Sequence, residues 1–156
     1  MCLPINFINM NKLLKQIFSC PLVILQFALL IVLIGNMHLG CLLCIILYVI
    51  SSSLGIWATI TMKIGNFNIV PDVKPNSILV TESPYKFIRH PMYTSLLLFS
   101  LGMMLSAYSN FTLSIWLILL VVMFVKAKYE ESLLIEKFPD YEKYRANTKA
   151  FIPFVL

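Results

Sequence analysis

Apolar residues run almost unbroken from Gln16 to Met62 and again from His90 to Val125, with no Asp, Glu, Lys or Arg in either stretch. A spanning helix needs about 20 apolar residues, because the hydrocarbon core is ~30 Å thick and each helical residue rises ~1.5 Å. The first stretch therefore holds two spans, roughly residues 17–35 and 40–61, broken at Gly35-Asn36-Met37-His38. The second accommodates a hairpin turning at Tyr108-Ser109-Asn110, with helices near 91–107 and 111–127. These two are short unless Lys126 and Lys128 snorkel to the interface. The pattern predicts an all-α integral membrane protein with four transmembrane helices. Between the stretches, Gly65, Asn66, Asn68, Pro71, Pro75 and Asn76 interrupt any helix, and Ile78-Leu79-Val80-Thr81 is a short extended run. Pro84 marks a turn, and Pro91 suits the first turn of span three with His90 at its cap. After span four, the helical pattern continues from Lys126 to Phe138 and stops at Pro139. Residues 140–149 read as a short amphipathic helix with Tyr141 and Tyr144 on one side, and Phe151-Ile152-Pro153-Phe154 returns an apolar end to the membrane surface.

Composition agrees with the pattern. Of 156 residues, 60% are hydrophobic and 12% charged, outside the range of soluble domains, and the length suits one domain. We read 1–156 as a single unit, with two N-terminal spans in 1–62 and the loop, helical hairpin and tail in 63–156. The net charge of +5 is informative through its distribution. Lys12 and Lys15 precede span one; Lys63, Lys74, Lys86 and Arg89 separate spans two and three; the other six basic residues begin at Lys126. With four spans these segments share one side and the opposite loops carry no Lys or Arg. The positive-inside rule makes that side cytoplasmic, with both termini on it. The basic residues then serve as topology markers and membrane-lipid contacts rather than a nucleic-acid surface. Lys12 and Lys15 ahead of an apolar run resemble a signal peptide, but no small-residue cleavage site follows, so a retained first helix is expected. Cys41-Leu42-Leu43-Cys44 has metal or redox spacing, yet it lies in an apolar span without a second pair, and a packing role is expected. Spans one and two lack intramembrane charge, against a proton-coupled transporter. Ser51-Ser52-Ser53 with Gly55 is a small-residue patch suited to close helix packing.

The dense polar and aromatic cluster is Ser83-Pro84-Tyr85-Lys86-Phe87-Ile88-Arg89-His90-Pro91-Met92-Tyr93, at the cytoplasmic mouth. A helical hairpin brings the start of span three beside the end of span four, so this cluster should face Lys126, Glu130 and Glu131. The order Leu79-Val80-Thr81, Pro84-Tyr85, Arg89-His90-Pro91-x-Tyr93, a hydrophobic hairpin, Glu130-Glu131, Leu134, Phe138, Tyr141, Tyr144 and Phe151-Ile152-Pro153 resembles the isoprenylcysteine carboxyl methyltransferases and related phospholipid methyltransferases. The resemblance runs from about Asn66 to the C-terminus. It implies an integral-membrane enzyme that transfers a methyl group from S-adenosyl-L-methionine, leaving S-adenosyl-L-homocysteine, with a cytoplasmic cofactor-binding loop.

Carried over residue by residue, the resemblance implies cofactor contacts from Ser77, Ile78, Leu79, Val80, Tyr85, His90, Pro91, Met92, Tyr93 and Glu130. His90, Tyr93 and Glu130 are the expected catalytic residues, and Lys126, where the family has arginine, the expected substrate-binding residue. No metal is required. In-line methyl transfer to a carboxylate needs positioning and exclusion of water rather than a strong base. The implied acceptor is a lipophilic or prenylated molecule in the bilayer, with an isoprenylcysteine-type carboxylate as the leading choice. A phospholipid amine acceptor and a non-catalytic four-helix membrane protein remain as alternatives. Ser83 and Ser95 stand where the family usually has glycine, and Lys126 lacks arginine's bidentate fork.

Overall fold

The computed structural model describes residues 7–38, 41–66 and 78–152. Five α-helices follow one another: α1 (Phe7–Asn36), α2 (Leu42–Asn66), α3 (Pro91–Ser106), α4 (Asn110–Lys137) and α5 (Tyr141–Asn147). A single 3₁₀ turn, Ser83–Lys86, precedes α3. Among the described residues there is no strand, only an isolated parallel bridge between Ile88 and Lys149.

Local chemistry accounts for the boundaries. The Cys44 N–H points at the Cys41 sulfur at 3.4 Å, so the first cysteine caps the opening of α2 while Cys44 is buried. Pro91 occupies the first turn of α3, where its missing N–H costs nothing. Ser109 and Thr112 form a reciprocal capping box at the start of α4. That helix then runs 28 residues, ~42 Å at ~1.5 Å per residue, well beyond the hydrocarbon thickness. Its last turns carry the Glu130-Glu131 pair beyond the predicted fourth span, with Glu131 and Leu133 still buried.

By length and composition, two helices can cross a membrane: α2 over Leu42–Met62, and α4. The apolar parts of α1 (Cys20–Asn36) and α3 are shorter. Packing pairs α2 chiefly with α3 and α1 chiefly with α4, with α3 also touching α4 and α1. The core joins Leu29, Leu30 and Leu33 of α1 to Leu97, Met103 and Met104 of α3 and Leu119, Val122 and Met123 of α4. The Trp116 indole N–H adds a tie to the Leu97 carbonyl at 3.3 Å.

The helices pack closely where residues are small. A Cβ on Gly55 of α2 would sit 2.5 Å from the Ser95 hydroxyl of α3, and one on Gly102 would sit 2.7 Å from the Tyr48 ring. The expected small-residue contact is thus between α2 and α3. Ser95 faces Gly55 there, which answers where the side chain replacing a family glycine goes.

The two ends of the bundle differ. At one, the His38 N–H donates to the Ser106 hydroxyl at 3.1 Å, joining the α1–α2 turn to the end of α3. The other gathers the 3₁₀ turn, the start of α3, the charged end of α4 and the C-terminal tail.

Candidate active site

The tail builds the floor of this second end. Residues 148–151 lie alongside 87–90: the Arg89 N–H donates to the Lys149 carbonyl at 2.7 Å and the His90 N–H to Ala150 at 3.0 Å. The Thr94 hydroxyl donates to the Phe151 carbonyl at 2.8 Å, and Phe151 itself is buried against His90 and Phe124. His90 is the N-terminal flanking residue of α3, as its position before Pro91 predicts, but its ring makes no capping bond. Because the His90 N–H is taken by the tail and Pro91 has none, Met92 and Tyr93 supply the N–H groups that point out of this helix end.

Three side chains form a column beside α4. The buried His90 ring stacks on Tyr93, with centroids 5.4 Å apart and planes within 7°. The Lys126 ammonium lies over the Tyr93 ring, 5.2 Å from its centroid. Lys126 is buried, only 2% exposed, and donates to the side-chain carbonyl of Gln26 on α1. The expectation that it snorkels to the interface is corrected: its side chain turns into the bundle because Gln26 and Tyr93 offer polar and π partners there. Lys128, with a largely exposed side chain, keeps the surface role.

Two carboxylates flank the column and differ in setting. Glu131 is buried; its Oε1 accepts from Arg89 Nε at 2.7 Å and lies 3.4 Å from His90 Nε2. Its Oε2 has no hydrogen-bond partner among the described residues and sits 3.7 Å from both Lys128 Nζ and Arg145 Nε. Glu130 is partly open, its Oε2 3.7 Å from His90 Nδ1, and the Tyr93 hydroxyl is within its hydrogen-bonding reach. One helix position separates a structural carboxylate from one still able to accept a ligand's donors.

Arg89 ties these parts together. Besides Glu131, its Nη1 donates to the backbone carbonyls of Arg145 and Thr148. Neither Arg89 nor Glu131 stands among the site residues expected from sequence. Arg89 has the look of a lipid-phosphate contact, and Glu131 of a solvated helix face beside Lys128. The signal that could have found them is their adjacency to His90 and Glu130, which forces them toward the same junction.

Tyr85 is buried on the far side of the 3₁₀ turn, its hydroxyl 3.4 Å from the Ala58 carbonyl, while its own carbonyl accepts from the Tyr144 hydroxyl at 2.5 Å. Burial first, and the Glu130 charge second, push the Tyr85 phenol well above its ordinary pKa. Burial raises Tyr141 similarly and pushes Tyr144 up to about 12. Ser83 opens this turn with φ 53°, a left-handed conformation that costs a residue with a Cβ about 1–2 kcal/mol, which is why glycine suits the position.

The structure brings His90, Pro91, Met92, Tyr93, Lys126 and Glu130 to one junction, with Tyr85 behind it. Of the extended run, Ile78 is exposed and Leu79 lines a cleft of about 500 Å³ with Thr81, Lys86 and the α5 residues Lys143 and Tyr144. Ser77 is outside the described residues. Among the described residues, no group of three or more His, Cys, Asp or Glu side chains could hold a metal ion.

The chain is 31% identical over 81 residues to the cobalt-zinc-cadmium resistance protein CzcN of Cupriavidus metallidurans, an overlap of 51% of this chain and 38% of that protein. The sequence pattern of the phospholipid methyltransferases matches residues 36–141, from the end of α1 to the start of α5. The chain belongs to the phospholipid methyltransferase family.

Proposed function

We propose that the protein is a multi-pass membrane methyltransferase that uses S-adenosyl-L-methionine to methylate a lipophilic acceptor lying in the bilayer. Residues 1–156 act as one unit with both termini and the site on the cytoplasmic side. The observation that carries the reading is the His90–Tyr93–Lys126 column against Glu130, in a chain of this family.

The donor set fits the cofactor. Glu130 is a partly open carboxylate suited to ammonium or hydroxyl donors. His90 and the outward N–H groups of Met92 and Tyr93 suit a carboxylate. Tyr85 is buried next to this junction. When bound, S-adenosyl-L-methionine supplies an electrophilic methyl carbon and is released as S-adenosyl-L-homocysteine. The chain's own work is positional. The buried column excludes water, Glu130 and His90 orient one reactant, and the Lys126 ammonium draws the acceptor oxygen toward the same point. A buried cation with a neutral amide partner favours an anionic acceptor group, so an isoprenylcysteine-type carboxylate is the leading acceptor. The family's own description favours a second acceptor, a phospholipid amine.

Calorimetric titration of the purified protein with S-adenosyl-L-homocysteine tests the site. Binding is expected without added metal. His90→Ala and Glu130→Gln should each weaken it at least tenfold, about 1.4 kcal/mol, the size of a lost hydrogen bond to a charged group. Wild-type affinity in both variants would overturn the assignment.

A further inference from the structure

Helix α1 lies, except for its last residue, outside the part of the chain matched to the family, yet it sends one polar side chain into the site. Gln26 is only 8% exposed, on a helix whose described neighbours Ile24, Leu25 and Phe27 face outward as apolar side chains. Its carbonyl oxygen accepts from Lys126 Nζ, and the same ammonium rests over the Tyr93 ring. An ammonium has three donors. One is held by Gln26, the π face of Tyr93 takes a second direction, and the third is left for an acceptor oxygen. The choice of an amide matters electrostatically. An amide oxygen fixes the cation's direction without cancelling its charge, whereas a carboxylate at the same place would form a buried ion pair.

We propose that Gln26 is a positioning residue that aims Lys126 without adding a countercharge of its own, so that α1 sets selectivity for an anionic oxygen on the lipophilic acceptor. This rests on the methyltransferase reading given above. It assigns to α1 the choice between carboxylate and amine acceptors. Glu130, one helical turn from Lys126, contributes a charge to the same neighbourhood but faces His90 and Tyr93, so it does not replace Gln26 in fixing the ammonium.

The test uses the full chain in lipid nanodiscs, tritiated S-adenosyl-L-methionine, and two probes: an S-prenylated N-acetylcysteine as carboxylate and phosphatidylethanolamine as amine. S-adenosyl-L-homocysteine affinity serves as the check on folding. Gln26→Glu should raise KM for the carboxylate probe at least tenfold with kcat changed less than threefold, and should lower the carboxylate-to-amine activity ratio by the same factor. Gln26→Asn, with its oxygen drawn back by one methylene, should give an intermediate KM and carries the test if the glutamate variant does not bind the homocysteine product. The exchanged pair Gln26→Lys with Lys126→Gln should recover at least a third of the wild-type ratio, which a purely structural role would not produce. If wild type methylates the carboxylate probe and the Gln26 variants keep its KM and ratio, this inference falls alone. If wild type is inactive on the carboxylate probe, the acceptor assignment falls and this inference with it.

Discussion

Arg89 holds more of the site than its place in a basic loop suggests. Its guanidinium meets the Glu131 carboxylate and two carbonyls of the tail, Arg145 and Thr148, so one planar fork fastens α4 to the segment that covers His90. Both side chains of the ion pair are buried. Removing one partner of such a pair leaves an uncompensated charge and typically costs about 3–5 kcal/mol, while replacing both by apolar residues is far milder. Arg89→Ala should therefore lower the thermal inactivation midpoint sharply and open the tail to protease within residues 141–152. Arg89→Met combined with Glu131→Leu should recover most of the midpoint. A double variant as labile as the sum of its singles would mean that Arg89 and Glu131 contribute independently and that their pairing adds nothing. That His90 and Glu130 meet was legible in the sequence, because a helical hairpin brings the start of the third span beside the end of the fourth. The role of Glu131 was hidden, because a carboxylate near two lysines on a helix is ordinarily solvated. Gln26 was hidden for a related reason: its partner is Lys126, 100 residues away.

At the scale of elements, hydrophobic length and breakers located most helices, since a run of apolar residues ending in glycine, asparagine or proline has few other outcomes. Helices α3 and α4 and the start of α2 lie close to where the pattern puts them, whereas α1 begins ten residues early, at Phe7, and α2 runs on through Gly65 and Asn66, because single breakers at a helix end do not stop it. Pairing was less legible. That α2 lies on α3 while α1 lies on α4 depends on surface shape, and the shape is set by single residues such as Gly55, Ser95, Gly102 and Tyr48. These contacts allow a ranked prediction. A Cβ at Gly102 would press on ring carbons of Tyr48 at 2.7 and 3.1 Å and on the Cys44 carbonyl at 3.4 Å. The ring is also held by Phe99, at a centroid distance of 4.8 Å, so it has little freedom to withdraw. Gly102→Ala should cost about 1–3 kcal/mol by overpacking. Gly55→Ala meets a serine hydroxyl, which can rotate away, and should cost less. Thermal inactivation of the two variants in the same detergent checks the order. Adding Tyr48→Val should restore Gly102→Ala; equal loss with and without it would mean that the strain lies elsewhere.

For the whole molecule, the outward faces of the helices matter as much as the core. Ile24, Phe27 and Ile31 on α1, Ile45, Val49, Ile56 and Ile60 on α2, and Phe111, Ile118 and Val121 on α4 are all exposed. Apolar surface on this scale needs a cover, and a bilayer supplies one to several helices at once. The end of the bundle that carries Arg89, Glu130, Lys128 and Arg145 is the charged one, and the end where His38 meets Ser106 has no charged residue between 90 and 125 or between 16 and 62. Under the proposed four-crossing topology every Lys and Arg falls on one side, and the charged end should then face the cytoplasm. Single cysteines in a background without the native four provide the test. Asn36→Cys and Tyr108→Cys should react with an impermeant maleimide on intact cells; Tyr108 is exposed and, unlike Ser109, caps no helix. Asn76→Cys and Asn147→Cys should react only after lysis. Labelling of Asn147→Cys from outside would place Glu130 and His90 on the external face, where the cofactor proposed for them is not supplied, and would remove the site from use as a methyltransferase centre.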